Sequence, residues 1–466
     1  MSPGGTQAYP RRIALIVAAA FFMELLDGSI VATALPVIAT SFGRPALDLA
    51  PSIILYLVAM AALVPTAGWA SRRFGARRVF LAAIGVFSTA SLACGLSPSI
   101  EALFGARVLQ GAAAAFMSPV GRLIVLRDTP KHHIIDAIGM IVWPGLIAPV
   151  IGPPLGGLIT TWVSWRWIFL VNVPLGLFGV LLVLRFVPPS VPTSDAPLDW
   201  PGFAWTSVSL TTLIYGLTLF GEQGAGVRAL TLCALGAATG LMALRHALRV
   251  PQPMLDLRCS GVPTFALCTL SAGFIARTAI NMTPYLLPLM FQIGFGISAL
   301  DSGLLLMIYM AGNLAMKGVT TPILQRRPPR SVLLVNGALC AASLVATGLL
   351  TPASPPWLLY GVLFVAGATR SMNFTATNTL SLADVPEGIR PGATTISAMA
   401  QQVAAVFGVA LATMMLGISQ AHRVGAALAL PDFQAAHWVS AAMMLMAIAW
   451  YSRLPRDAGS ELMRRA

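Results

Sequence analysis

Residues 21–36 read FFMELLDGSIVATALP, and this stretch decides how the chain is read. It lies within the first long apolar segment, 13–36, and carries Glu24 and Asp27. A charged side chain at the centre of a bilayer costs about 2.5–3.5 kcal/mol on insertion scales. Residues three apart share a helix face. Two acids on one face therefore demand a watery cavity or partner cations, and the rest of the chain has to supply them.

The composition says that a bilayer is the right frame. The 466 residues are 57% hydrophobic and 10% charged, with a mean hydropathy of +0.81. Soluble domains carry about 25% charged residues, so the fold class is an all-α membrane protein. A total of 42 Gly and 34 Pro suits helices that pack closely and kink, and the alternating short segments of a β-barrel are not seen. The net charge of +13 reads as loop asymmetry from membrane insertion; without a long basic run it does not indicate nucleic acid. Cys94, Cys233, Cys259, Cys268 and Cys340 are scattered without a CxxC, and read as small core residues. The histidines form no HExxH, and His132-His133 falls in a loop. No metal or cofactor is expected. The first apolar run is too long and too acidic for a cleaved signal.

Fourteen apolar segments follow one another, each near the roughly 20 residues a spanning helix needs. They are 13–36, 51–70, 79–97, 101–126, 136–158, 166–187, 200–220, 228–247, 262–286, 300–323, 331–350, 356–380, 393–419 and 435–454. An even count puts both termini on one side. With that side cytoplasmic, only Arg44, Arg166, Arg228 and Arg423 of the 29 Lys and Arg fall outside. Arg107, Arg277, Lys317 and Arg370 fall within segments, and all the others lie inside, as positive-inside bias requires.

The chain repeats itself weakly. Leu126-x-Asp128-x-Pro130 before Ala137 recurs as Leu382-x-Asp384-x-Pro386 before Ala393, and Arg72-Arg73 recurs as Arg326-Arg327. Segments 1–6 then match 9–14, with 7 and 8 inserted. The expected organisation is a six-helix bundle over 1–187, two inserted helices and linkers over 188–261, and a second six-helix bundle with a tail over 262–466. The inserted pair has no ionisable residue deep within it, with Glu222 and Arg228 at its outer turn, and is expected to be peripheral.

Several motifs have a bland reading beside a functional one. Segment 5 carries Pro149, Gly152, Pro153, Gly156 and Gly157. Proline removes backbone donors and glycine lets backbones approach, so this helix is either a plain packing helix or a hinge or seal between halves. The basic loop with Gly68, Arg72, Arg73, Gly75, Arg77 and Arg78 is either positive-inside bias or a cytoplasmic gate that clamps the halves. In segment 4, Arg107 and Gln110 share a face; Arg107 either snorkels to the interface or faces a carboxylate.

In the second half, Arg277 stands one turn from Asn281, and Lys317 lies near the inner end. Arg370 and Asn373 lie on one stripe of segment 356–380, with Arg370 deep within it, ten or more residues from either edge. Lys317 is placed to snorkel, whereas Arg370 is too deep and must face a cavity or an acid. Gln110, Arg277, Asn281, Lys317, Arg370 and Asn373 are the candidate substrate-cavity residues. Phe21, Phe22, Met23, Met282, Tyr285, Phe291, Met372 and Phe374 either line an adaptable pocket or are ordinary core.

LLDGSIVATALP, GWASRRFGARR, RVLQG, IGPPLGG and SWRWIFLVNVPLG together resemble the major facilitator superfamily, and within it the fourteen-helix drug:proton antiporters. The resemblance covers most of the chain and extends to bacterial multidrug transporters. It implies proton-coupled export by alternating access. It places the family's first-helix Asp on Asp27, its fourth-helix Arg on Arg107 and its antiporter motif on Gly152, Pro153, Gly156 and Gly157. Two positions depart from it. Arg72 stands where the loop usually carries Asp, and Glu24 stands where an uncharged residue is expected.

The expectation that results is a monomeric, multi-pass protein of the bacterial inner membrane that exchanges protons for a small-molecule substrate. Glu24, Asp27 and Arg107 are its proton-coupling candidates. The cation surplus keeps open an exporter of an anionic metabolite or organic acid. From other classes, a non-transporting sensor or scaffold would normally bear a soluble domain, and a membrane enzyme would need a catalytic cluster that the loops do not offer.

Overall fold

The computed structural model describes residues 11–127, 129, 133–194, 197–220, 225–250, 253–423, 427–455 and 458–459. Asp128, Pro130, Lys131, His132, Glu222, Arg456, Arg464 and Arg465 lie outside the described residues. The described chain is helical throughout. The first half comprises α1 (Arg11–Ser41), α2 (Ala46–Phe74), α3 (Ala76–Gly95), α4 (Ile100–Arg127), α5 (Ile134–Trp162) and α6 (Trp167–Phe186). Next come α7 (Trp200–Leu219) and α8 (Gly226–Arg249). The second half comprises α9 (Pro263–Gly294), α10 (Ala299–Arg326), α11 (Pro329–Gly348), α12 (Pro356–Ala383), α13 (Glu387–His422) and α14 (Leu430–Tyr451).

Twelve of these helices are long and apolar enough to cross a membrane, where the sequence reading expects fourteen. The shortfall is α7 and α12. Both are diluted by polar side chains: Thr206, Ser207, Ser209, Thr211, Thr212 and Thr218 in α7, and Arg370, Asn373, Thr375, Thr377 and Asn378 in α12. In α7 the hydroxyls of Thr206 and Thr212 bond back to the carbonyls of Gly202 and Val208, each at 2.7 Å. That recovers part of their desolvation cost.

The two halves pack alike. In the first, α1 lies on α5 and α6, α4 lies on α2 and α3, and α3 lies on α6. Shifting every number by eight gives the neighbours of the second half: α9 on α13 and α14, α12 on α10 and α11, α11 on α14. The likeness reaches single residues. A Cβ on Gly111 would overlap the carbonyl of Tyr56, and a Cβ on Gly367 would overlap that of Tyr309. Glycine at these places lets two helix backbones touch.

The halves meet through α5 against α10, α2 against α13, and α1 against α9 and α10. A Cβ on Gly157 would collide with the backbone of Ala299 and Leu300, and one on Gly303 with that of Pro153 and Pro154. Gln292 Nε2 donates to the Thr33 carbonyl at 2.8 Å. Away from the termini the halves share one apolar core, which includes Leu35, Ile38, Leu49, Phe291, Leu306 and Leu416. At the end nearer the termini each half closes on itself, around Ile13, Phe80 and Ile124 in the first and Cys268, Leu333 and Leu380 in the second. The molecule is thus joined at one end and forked at the other. The α7–α8 pair packs outside this frame, with α7 against α13 and α2.

Candidate functional site

Asp27 lies in the first half's interior, 1% exposed. Its Oδ2 stands 2.7 Å from Arg107 Nη1. Its Oδ1 accepts from Gln110 Nε2 at 2.8 Å and from Asn172 Nδ2 at 2.9 Å. Arg107 also donates to Gln110 Oε1 at 2.6 Å and, from Nε, to the Ser52 carbonyl at 3.0 Å. Its guanidinium lies 4.2 Å from the centre of the Tyr56 ring. Gln110 Nε2 reaches Ser91 Oγ at 2.8 Å. Side chains or carbonyls from α1, α2, α3, α4 and α6 therefore converge on one ion pair. Arg107 does not snorkel, and Gln110, a candidate for the substrate cavity, is fully buried in this network instead. Asn172 is a partner that sequence reasoning missed. It lies inside SWRWIFLVNVPLG, and an amide in an otherwise apolar run was the available signal.

Glu24 is treated differently. It is 3% exposed, yet the Ser118 hydroxyl, 2.8 Å from Oε2, is its one hydrogen-bond partner among the described residues. Among the described residues no cation stands in ion-pair contact with it; Arg122, 5.9 Å from the Phe21 ring centre, acts on it through its field. Glu24 sits at the fork, between Met23 of the first half's own core and Leu26 of the shared core.

The second half's cations do not reach these acids. Arg277 is fully buried; Nη2 donates to Asn378 Oδ1 at 2.7 Å, while Nε and Nη1 have no partner among the described residues. Gln401 Nε2 reaches the same Asn378 oxygen at 3.2 Å. Arg370 is half-buried and donates to Asn281 Oδ1 at 3.3 Å. Lys317 Nζ is 2.9 Å from Thr375 Oγ1, so it is held by a neighbouring helix rather than released to an interface. Asn373 is buried and accepts from Thr377 at 3.4 Å. The acid–base pairing that forms, Asp27 with Arg107, lies within the first half, and the second half's cations take amide or hydroxyl contacts. Phe21, Met23, Met282, Tyr285, Phe291 and Met372 are buried core residues, and Phe22 and Phe374 are half-buried.

The glycines of α5 press on both sides. Gly152 and Gly156 lie against Ser29 and Ile30 of α1, and Gly157 lies against α10. Pro149 and Pro153 stand within the same helix. The basic loop after α2 turns at Gly75, with φ 86°. Only glycine takes this conformation at little cost, and a Cβ would also meet the Ser190 carbonyl at 2.5 Å. The Arg77 backbone N–H donates to Ser190 Oγ at 2.8 Å, Arg77 Nη2 donates to the Leu184 carbonyl at 2.6 Å, and the Arg72 carbonyl accepts from Thr193 N at 2.8 Å. The loop, with Gly68 beside Arg72 and with Arg73 and Arg78 following, is thus clasped to the segment after α6. These contacts tie the loop to the end of α6 and to the linker that follows it.

The chain matches the model of the Major Facilitator Superfamily over residues 17–409 and 269–465. It is 35% identical over 412 residues to "Putative multidrug resistance protein MdtD" of Pectobacterium carotovorum subsp. carotovorum (strain PC1), covering 87% of each chain. It is 34% identical over 454 residues to the protein of that name in Salmonella heidelberg (strain SL476), covering 95% of this chain and 94% of the relative. The crystal structure of D-xylose-proton symporter superposes with a TM-score of 0.71 at 16% identity, over 97% of this chain and 99% of that one. With a forked pair of repeated six-helix bundles, a bilayer composition and these relatives, the chain belongs to the Major Facilitator Superfamily and is a multi-pass membrane transporter, not an enzyme.

Proposed function

We propose that this transporter exports small organic compounds, drug-like or amphipathic, in exchange for protons across a bacterial inner membrane, working as a monomer. On this reading all fourteen helices cross, both termini are cytoplasmic, and the fork opens to the cytoplasm. Residues 1–187 and 262–466 rock about the α5–α10 contact, with 188–261 carried alongside. The multidrug naming of relatives that match nearly end to end supports the substrate class.

The observation that carries the coupling is the unequal treatment of the two acids. A proton on Asp27 would break the ion pair at Oδ2 and weaken the two hydrogen bonds that Oδ1 accepts. A proton on Glu24 disturbs one hydroxyl contact. Asp27 with Arg107 then serves as a fixed strut of the first half, and Glu24 is the carboxyl free to exchange its proton at the fork. The test is purified protein in liposomes with an imposed pH gradient. Glu24→Gln should lose gradient-driven accumulation while keeping substrate counterflow. Full gradient response in that variant would overturn the assignment.

A second reading has its own observation. Arg277, Lys317 and Arg370 are held by Asn378, Thr375 and Asn281, and none is in an ion pair among the described residues. Cations at membrane depth without an acid suit an anionic substrate, such as an organic acid. Counterflow with a lipophilic cation against a set of organic acids separates the two.

A further inference from the structure

The transport reading uses the interface between the halves and leaves one cavity unexplained. A slot of about 390 Å³ runs between α1, α5 and α6, and every residue lining it belongs to the first half. Its α1 wall includes Leu15, Ala19 and Phe22, one helical stripe; its α6 wall includes Phe178 and Leu182; α5 contributes Pro144. The walls hold no ionisable group. Leu15 and Phe178 are 58% and 61% exposed, so the slot is open along its length rather than sealed. The two helices run in opposite directions, so Leu15 and Leu182 share the end nearer the chain termini.

That end is marked by charge. Arg12 stands one turn before Leu15, and Phe186 one turn after Leu182; the Arg12 guanidinium lies 5.9 Å from the Phe186 ring centre. Arg12 is exposed, as are Arg11 and Arg185 beside it. The carboxylate at this end of α5, Asp136, is 3.5 Å from His133 Nδ1. An open apolar slot, capped at one end by exposed cations, has the layout of a phospholipid: chains along the wall, phosphate at the rim.

We propose that the groove between α1, α5 and α6 is a binding site for an anionic diacyl phospholipid, with an acyl chain against Leu15, Ala19, Phe22 and Phe178 and the headgroup phosphate on Arg12. Arg12 stands at the rim within cation–π reach of Phe186, where its guanidinium can receive the phosphate. The site lies in the leaflet on the side of the termini. It does not depend on what is transported.

The test is native mass spectrometry of the full-length protein in detergent, titrated with palmitoyl-oleoyl phosphatidylglycerol or with phosphatidylcholine of the same chains. Wild type should prefer the anionic lipid by about five-fold, which corresponds to ~1 kcal/mol for one cation at the surface. Arg12→Ala should bring that preference close to one. Ala19→Trp, which fills the slot from an exposed position, should weaken both lipids, and thermal unfolding in detergent checks that each variant is folded. Equal binding of the two lipids by wild type, an unchanged preference in Arg12→Ala, or unchanged occupancy in a folded Ala19→Trp would each overturn the proposal. Binding of oleate alone as tightly as the phospholipid would also overturn it, since the phosphate would then contribute nothing.

Discussion

Arg107 Nη1 stands 2.7 Å from Asp27 Oδ2, and both side chains are shut off from solvent. Breaking a buried pair by removing one partner costs about 3–5 kcal/mol, because the other charge is left uncompensated. Arg107→Ala should therefore lower the unfolding temperature in detergent sharply, and Asp27→Asn should do so too. The double variant should be less damaged than the two single losses summed, because the second change removes an already orphaned group. Arg107→Lys should not rescue, since a lysine cannot serve Asp27, Gln110 and the Ser52 carbonyl together while lying on the Tyr56 ring. Additive losses in the cycle would show that the pair is not coupled.

Glu24 makes the opposite case. Its contact with Ser118 is one hydrogen bond, and the net worth of one to a charged group is about 1.5–3 kcal/mol. Gln retains an acceptor there and removes the need to bury a charge. Glu24→Gln should unfold within a few degrees of wild type while losing its response to a pH gradient. Ser118→Ala should keep coupling and shift the pH at which exchange is half-maximal. The paired measurements are thermal unfolding and vesicle transport on the same preparations. A variant that loses both stability and transport would reduce Glu24 to a structural residue.

Gly157 and Gly303 set how closely α5 and α10 approach. A Cβ at either would overlap backbone of the other helix, which cannot swing aside as a flexible side chain can. Gly157→Leu or Gly303→Leu should wedge the halves apart at the joined end. Overpacking costs about 1–3 kcal/mol, and here the strain falls on the form in which this end is closed. The expected outcome is a folded protein with at least ten-fold slower transport and greater labelling of a cysteine placed at Thr33, beside the Gln292 contact. Unchanged labelling would place the helix contact outside the conformational cycle.

Much of this was legible in the chain. The recurrence of Leu126 at Leu382 has the same spacing that separates Gly111 from Gly367, so the repeat in the text is the repeat in the backbone contacts. Asp27 and Arg107 stood out because charge in an apolar run needs a cause. Their partners did not. Ser52, Ser91 and Asn172 come from three other helices; sequence gives the depth of a residue, but its bearing around the helix axis is fixed only by packing. For the same reason the neighbours of the second half's cations are not readable from the sequence. Asn378 and Thr375 supply neutral oxygen to Arg277 and Lys317, and neutral polar residues are too common for their position to predict a partner. Pro356–Ala383 is not among the twelve apolar helices because the polar residues that accompany Arg370 dilute it.

The last prediction concerns the attachment of α7 and α8. Asp199 precedes α7 and caps it, accepting from Gly202 N at 3.0 Å through Oδ1 and from Met254 N at 3.0 Å through Oδ2, with His246 Nε2 at 2.7 Å from Oδ1. Burial opposes its charge, but the two backbone amides and His246 outweigh that and hold its carboxyl below the usual carboxylate range. A group with a lowered folded value stabilises at pH above its unfolded value, about 3.9. That stability is lost as pH falls through the folded value. The latch should therefore be fully set from pH 7 to 5 and release only below about pH 4. Amide exchange at Gly202 and Met254, corrected for the intrinsic rate at each pH, should show protection that falls only in that acid range. Asp199→Asn should show weaker protection with no such acid step, and Asp199→Ala should lose about 1 kcal/mol of local stability with the cap. Loss of protection already between pH 7 and 5 would show that the Asp199 carboxylate does not hold the latch.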